Sequence, residues 1–300
     1  MKIQITYKMA CEFVAWLGAP VLSQRRSLNI LCLQGASPLP AFDGLIQLNN
    51  NSPDKYNDCM ILFWKDSHGQ HVKALKATTQ PGRFYTQVKP NPLGAANLVW
   101  GVHPYKKGRR RGRVILVSAT GFDRVWRDAN GDFRQNLDEL LYLGRFGIQV
   151  HAGGHQESVG RWSAGCIAIH GGYDGQPYSL FLKKLKEHSA KIVYLSLWGA
   201  ADFSRWVVCK SNWEPCLRLG IQSHWVAQMQ NLLSLGSETK LIADGIWGQR
   251  TQKAFLDFQS QAGLALDGIC GPISWRVLNE KRQATEDNFV EPNKGVKDVN

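Results

Sequence analysis

One stretch of the chain carries residue types that could do covalent chemistry. Ile148-Gln149-Val150-His151-Ala152-Gly153-Gly154-His155 leads to Arg161-Trp162-Ser163-Ala164-Gly165-Cys166-Ile167-Ala168-Ile169-His170. A thiol beside an imidazole is a nucleophile with its own base. An adjacent imidazolium lowers a thiol pKa from about 8.5 to about 3.5–7.5, and the thiolate then attacks a carbonyl. The imidazolium protonates the leaving amine. Gly165 lets the backbone approach closely. The N–H groups of Gly165 and Cys166, with that of Ala164, are expected to face a developing oxyanion, where one donor is worth about 10²–10³ in rate. No Asp or Glu is placed to orient His151, which leaves a backbone carbonyl for that task.

Zinc is the rival chemistry, since His151, His155, Cys166 and His170 are all possible ligands. Gly153-Gly154 between the first two histidines argues against the helix on which such a pair chelates, so no metal and no cofactor is expected. His155 and His170 read instead as rim or hydrogen-bonding groups. The chain has seven cysteines, an odd number, which leaves at least one thiol. Apart from Cys166 they read as buried, inert packing. Cys209 and Cys216, seven apart, either pair or fill space.

Positioning His151 beside Cys166 needs two strands and a loop. Ile148 and Val150 alternate into a strand ending at His151, and Ile167–Ile169 forms the second strand. From Leu28 to about Trp198 short apolar runs recur: 28–33, 60–64, 74–79 and 114–117. Asn, Gly and Pro punctuate them, including Asn49–Pro53, Pro90-Asn91-Pro92 and Asn130-Gly131. Helices are expected near Gln135–Leu143 and over Pro177–His188, where Tyr178, Phe181, Leu182 and Leu185 recur at helical spacing. The fold class expected for 26–200 is a mainly antiparallel β domain with small helices. Residues 1–25 read as an N-terminal amphipathic helix or a weak signal-like segment, interrupted by Glu12. Residues 201–216 read as a connector.

Beyond the connector the period changes. Val226, Met229, Leu232 and Leu233 share one helical face, Thr251, Ala254, Phe255 and Phe258 a second, and Trp275 to Leu278 mark a short third helix. Asp244-Gly245-Ile246-Trp247-Gly248 and Asp267-Gly268-Ile269-Cys270-Gly271 repeat 23 residues apart. Each Asp-Gly predicts a tight turn, with Thr251 and Ser274 at equivalent places at the start of the next helix. Residues 217–281 therefore read as a small all-α three-helix bundle, and 282–300 as a polar, flexible tail.

Two resemblances follow from these residues. His151 through Ser163, Gly165 and Cys166 resembles the signature of the L,D-transpeptidase catalytic family, and Ala77-Thr78-Thr79-Gln80-Pro81-Gly82 resembles that family's turn before its substrate cleft. The likeness covers roughly 60–200. Ala152, Ala164 and Ala168 depart from it, the last standing where Arg or Asn is usual. It implies Cys166 as nucleophile, with His151, Ser163 and Gly165 as the rest of the catalytic set. His155, Arg161, Trp162 and His170 are the expected substrate-binding rim. Residues 222–279 are similar to the three-helix peptidoglycan-binding domain, on Gln230, the two Asp-Gly turns, Thr251, Phe255, Phe258-Gln259, Gly263-Leu264, Gly271-Pro272 and Trp275. Trp247 is either a sugar-stacking residue or core. Together they imply a cell-envelope or periplasmic enzyme that forms a thioester on peptidoglycan stem peptides. The alternatives are an L,D-carboxypeptidase, endolysin or antibacterial effector that hydrolyses them, and a catalytically inactive wall-binding protein.

Composition agrees with a folded partner of an anionic polymer. The 44% hydrophobic and 10% aromatic content supplies a core and excludes wholesale disorder. The mean hydropathy is −0.27, and no apolar run reaches the roughly 18–20 residues of a spanning helix, so no integral membrane segment is expected. Of the net +12, residues 1–216 hold 27 basic and 15 acidic side chains. Lys106-Lys107-Gly108-Arg109-Arg110-Arg111-Gly112-Arg113 is the densest cluster, either a solvated loop or an attractor of anionic wall polymer or a substrate carboxylate. No nucleic-acid recognition motif accompanies it, and a monomer is expected.

Overall fold

Strands with apolar side chains on both faces need cover on both sides. Leu28–Leu33 and Met60–Trp64 are such runs, and they lie at the centre of the first of two compact units, Met1–Trp213 and Glu214–Asn300. The computed structural model describes residues 1–40, 43–136, 139–209, 213–235 and 240–290.

In chain order the first unit contains β1 (Lys2–Gln4), α1 (Tyr7–Trp16), β2 (Leu28–Gln34), β3 (Ala36–Pro38), β4 (Leu45–Leu48), β5 (Asp58–Asp66) and β6 (Gly69–Thr78). Then come α2 (Arg83–Gln87), β7 (Ala95–Leu98), β8 (Gly101–Arg110), β9 (Arg113–Ser118), β10 (Asp123–Asp128) and β11 (Leu141–Gly144). β12 (Gln149–Ala152), β13 (Ile167–Ile169), α3 (Gln176–Glu187), β14 (Val193–Gly199) and α4 (Ala200–Cys209) complete it. Eight strands close into a barrel in the order β12-β13-β6-β5-β2-β14-β8-β9. Its pairs are antiparallel except β12 with β13 and β14 with β2. Two small sheets, β1-β4-β3 and β11-β10-β7, flank it.

Leu28, Ile30, Cys32, Met60, Leu62, Leu116, Val150 and Ile167 join one buried cluster, which takes in Tyr178, Phe181 and Leu185 of α3. On the other face of β5, Phe63 meets Tyr7 of α1. Phe13 of α1 is buried edge-on against Phe203 and Trp206 of α4, with ring centroids at 4.8 and 5.2 Å. Of the segment expected as a connector, 201–209 is helical, as α4, and packed into the first unit.

The helix expected near Gln135–Leu143 is not formed. Leu137 and Asp138 lie outside the described residues, but Leu141–Gly144 is β11, paired with β10. The Asp128 carboxylate accepts N–H bonds from Gly131, Asp132 and Phe133, and Glu139 accepts one from Asn136. The pairing with β10 takes the backbone groups that a helix over 141–143 would use.

In the second unit Ser223 caps α5 (His224–Ser234), and α6 (Gln249–Gln261) and α7 (Pro272–Val290) follow. Val226, Met229, Phe255, Phe258, Trp275 and Leu278 are buried. The third helix is longer than the sequence suggests. It continues to Val290 through the first part of the expected tail, whose last ten residues lie outside the described set.

Asp58 ties the barrel to the turn after β6. Its carboxylate accepts from Gly35 N–H at 2.8 Å and from the N–H and hydroxyl of Thr79, both at 2.7 Å. Burial outweighs these bonds and raises its pKa from 3.8 to about 6. The folded chain thus holds a proton there that the unfolded chain releases. The stability this contributes is fully present below about pH 4 and is lost as pH rises through about 6. Asp58→Asn removes that component. The stability gap between the two proteins in urea melts is expected to change between pH 4 and 7, the unsubstituted protein losing ground. A gap constant with pH would contradict the assignment.

Candidate active site and wall-binding domain

Parallel neighbours need a crossover of a dozen or more residues, and Gly153–Gly165 is that crossover. Val150 pairs with Ile167, His151 with Ala168 and Ala152 with Ile169. Val150, Ala152, Ile167 and Ile169 point into the barrel core. By alternation His151 and Ala168 share the opposite face. Cys166 precedes the strand, and its thiol lies against the incoming backbone of β12, near Gly147 O and the Gln149 N–H.

The crossover is anchored along its length. Gly153 N–H donates to Ile169 O at 2.6 Å, Gly154 N–H to the Tyr56 hydroxyl at 2.8 Å and Gly160 N–H to Asp54 at 2.7 Å. Gly82, in the turn after β6, donates to Ser163 O at 2.9 Å. Tyr56 and Val159 bury Ala168 between them. Where the resemblance leads one to expect Arg or Asn, the space is thus filled by an aromatic ring and a branched side chain.

His151 is 5% exposed. Its Nδ1 lies 2.7 Å from its neighbour's carbonyl, Ala152 O. A carbonyl only accepts, so Nδ1 carries the proton and Nε2 of the neutral ring keeps its lone pair. A backbone carbonyl thus does the orienting. Burial lowers the imidazole pKa, the Ala152 bond opposes this, and the Arg110 charge adds to the lowering. Cys166 is half-buried, with Sγ 3.9 Å from Gly147 O. Burial pushes its thiol up, the Gln149 N–H and Arg110 pull it down, and Asp123 pushes it up again. The sequence reading of a thiol lowered by an imidazolium is corrected here. Desolvation dominates at both groups and favours a neutral thiol with a neutral imidazole.

Ser163 and Gly165 build the turn that leads into Cys166. The Ser163 hydroxyl donates to Cys166 O at 2.7 Å and accepts from Gly165 N–H at 3.1 Å. That N–H is therefore engaged, a correction to its expected role as an oxyanion donor. Gly165 has φ +132°, and a Cβ there would collide with Ala96 O. Both residues act by holding Cys166 in place.

The expected rim residues are dispersed around the crossover. The Arg161 guanidinium lies over Phe84 at 3.9 Å, and Trp162 is partly exposed with its indole against Gly154. His155 pairs with Asp174 at 3.3 Å, and His170 packs edge-on against Tyr56 with Nε2 3.2 Å from His155 O. Among the described residues no three His, Cys, Asp or Glu side chains are grouped to hold a metal ion. None of the seven cysteines, Cys209 and Cys216 included, forms a disulfide.

In the second unit the twin turns have twin fastenings. Gln230 Nε2 donates to Asp244 at 2.9 Å and to Ile246 O at 3.0 Å, while its Oε1 accepts from Gly245 N–H at 3.0 Å. Gln259 repeats this on Asp267, Ile269 O and Gly268 N–H. Thr251 and Ser274 hydroxyls donate to the two isoleucine carbonyls. Trp247 is fully buried, packed on Phe255, with its indole N–H on Gln252 at 2.6 Å. It presents no face to a sugar, which corrects its place among the substrate-binding candidates. A cleft of about 720 Å³ is lined by Leu232, Lys240, Arg250, Lys253, Phe258 and Lys281, among others. The sequence pattern did not mark these basic side chains, which sit between the periodic apolar positions.

Residues 226–278 match the family model of the peptidoglycan binding domain, so the chain carries such a domain within its second unit. No curated protein and no solved structure is significantly similar to the chain.

Ser163→Ala leaves a Gly165 N–H and a Cys166 carbonyl unpaired. A destabilisation of about 1–3 kcal/mol per orphaned group is expected in urea unfolding. Gln230→Leu orphans the Gly245 N–H and is expected to weaken the second unit by a similar order, followed by tryptophan fluorescence, since Trp247 lies beside that turn. Unchanged midpoints would show that these bonds are replaced by water at no cost.

Proposed function

We propose that the first unit is a cysteine acyl-transfer enzyme of the L,D-transpeptidase type, acting on peptidoglycan stem peptides, and that the peptidoglycan-binding domain retains it at the wall. The observation that supports this reading is the parallel pairing of β12 with β13, which brings the chain at His151 and the chain entering β13 at Cys166 to neighbouring strands, with His151 Nδ1 committed to Ala152 O. In this reading Nε2 is the base for the thiol. The matched domain favours a wall polymer as substrate and a cell-wall location. No described helix is long and apolar enough to cross a membrane.

In this reading His151 Nε2 takes the Cys166 proton as Sγ attacks the amide carbonyl before the terminal D-residue. The tetrahedral oxyanion collapses, the C–N bond breaks, and the imidazolium returns the proton to the departing amine. The thioester left on Cys166 is attacked by a second nucleophile, an amine from another stem or water. His151 accepts that nucleophile's proton and passes it back to the thiolate. A proton held on neutral sulfur until the substrate arrives also protects the thiol from adventitious reaction.

The test is incubation with stem-peptide monomers and dimers, with mass spectrometry of Cys166. The expected result is an acyl adduct on Cys166, its loss in Cys166→Ala with wall binding retained, and a fall of about 10²–10⁴ in turnover in His151→Gln. Cross-linked dimer identifies an amine as the second nucleophile, and shortened monomer alone identifies water. Full turnover in Cys166→Ala ends the proposal. Because burial raises the thiol, alkylation of Cys166 by iodoacetamide is expected to rise with a midpoint above the ordinary thiol value of about 8.5. A midpoint near neutrality would show a preformed thiolate instead.

A further inference from the structure

The basic cluster at the β8–β9 hairpin is not uniform once folded. Lys107 Nζ donates to His188 O at 2.7 Å, Arg109 to Gly112 O of its own turn at 3.2 Å, and Arg113 lies 4.3 Å over Tyr173. Arg110 reaches the other way. Its Nη1 donates to Gln149 Oε1 at 3.1 Å, and the backbone N–H of that same Gln149 bonds the Cys166 thiol. Among the described residues no carboxylate lies within 4.0 Å of any Arg110 nitrogen. Asp123, whose charge is felt at Cys166, is buried and turned to Ile148 N–H at 3.0 Å. An exposed cation is thus held at the mouth of the thiol site by a neutral amide, without an acidic partner of its own.

We propose that Arg110, positioned by Gln149, is the anion-recognition group of the Cys166 site, and that it selects peptides whose free α-carboxylate follows the scissile amide. This rests on the reading of Cys166 as the nucleophile and deepens it. An α-carboxylate on the departing residue stands only a few bonds from the attacked carbonyl. A guanidinium beside the thiol can hold it while Sγ reaches that carbon. Four of the guanidinium's five N–H donors remain when one is on Gln149, enough for the paired geometry that a carboxylate favours. The site would then act at chain ends and reject internal amides and amidated termini.

Two alkylating probes of nearly equal size separate this from a general effect on the thiol. Iodoacetate is an anion and iodoacetamide is neutral, and both form the same thioether bond at Cys166 with loss of iodide. A change in thiol acidity alters both rates together, whereas anion recognition alters their ratio. The ratio of iodoacetate to iodoacetamide rates at Cys166, read by peptide mass spectrometry, is expected to fall about threefold to tenfold in Arg110→Gln, the scale of one screened charge at a few ångströms. It is expected to fall in the same direction in Gln149→Leu, to hold in Arg109→Gln on the same hairpin, and to drop with added salt in the unsubstituted protein. An unchanged ratio in Arg110→Gln, with Cys166 still reactive, overturns the assignment and leaves the nucleophile intact. A Cys166 inert to both probes in the unsubstituted protein would instead remove the reading on which it rests.

Discussion

The parallel pairing of β12 with β13 is the constraint on which the candidate site depends. Side chains on a strand alternate between faces, so a register of Val150 on Ile167 fixes where every neighbour points. Slipping β12 by one residue would turn His151 into the barrel core. The core itself prevents the slip, because Val150, Ala152, Ile167 and Ile169 are completely buried and an imidazole would have to take its place among them. The spacing of the two reactive residues has the same origin. Parallel strands cannot be joined by a tight turn, so the chain between them must be long, and its length is filled with glycines that pack against Tyr56, Asp54 and the turn after β6.

The electrostatics of the face follow from that burial. In water a thiol and an imidazole placed together would share charge. Here desolvation acts on both in the direction of neutrality; hydrogen bonds to backbone groups oppose it at both, while the Arg110 guanidinium opposes it at Cys166 and reinforces it at His151. Burial therefore separates two tasks that the amino-acid pattern runs together. In the proposed reading nucleophilicity requires proton transfer to Nε2 at the moment of attack, while the ring is already oriented through Ala152 O. The Arg110 charge works against an imidazolium and for a thiolate, so it biases the pair toward sulfur carrying the negative charge alone.

The barrel strands are legible in the sequence because their hydrophobicity is continuous over four to six residues and is bounded by Asn, Gly and Pro. Closure into a barrel is not legible, since it rests on pairings such as β14 with β2, far apart along the chain. The expected helix near Gln135–Leu143 gives way to a tertiary pairing: Leu141–Gly144 is taken as an edge strand by β10, a partner that local spacing does not show. At the site, residue types and spacing identify His151 and Cys166 as a pair. They do not reveal that the Gly165 N–H is taken by Ser163, because a hydroxyl's choice of partner depends on the path of the turn. Arg110 is legible only as one of a cluster, and its distinction from Arg109 and Arg113 comes from strand pairing.

The second unit shows the opposite balance. Its signals are short-range, so they survive without knowledge of the fold. An Asp-Gly turn, a hydroxyl a few residues later and a glutamine in the preceding helix form a closed set of hydrogen bonds, and the set occurs twice. A buried amide with both ends satisfied specifies one arrangement, because any displacement leaves a donor or acceptor unpaired. The same economy explains why Trp247 misleads. An indole in a turn has the composition of a carbohydrate contact, but here its N–H is needed by Gln252 and its face by Phe255. The cleft of this unit is lined instead by charged side chains between the apolar positions, Arg250, Lys253 and Lys281 with Asp257 among them.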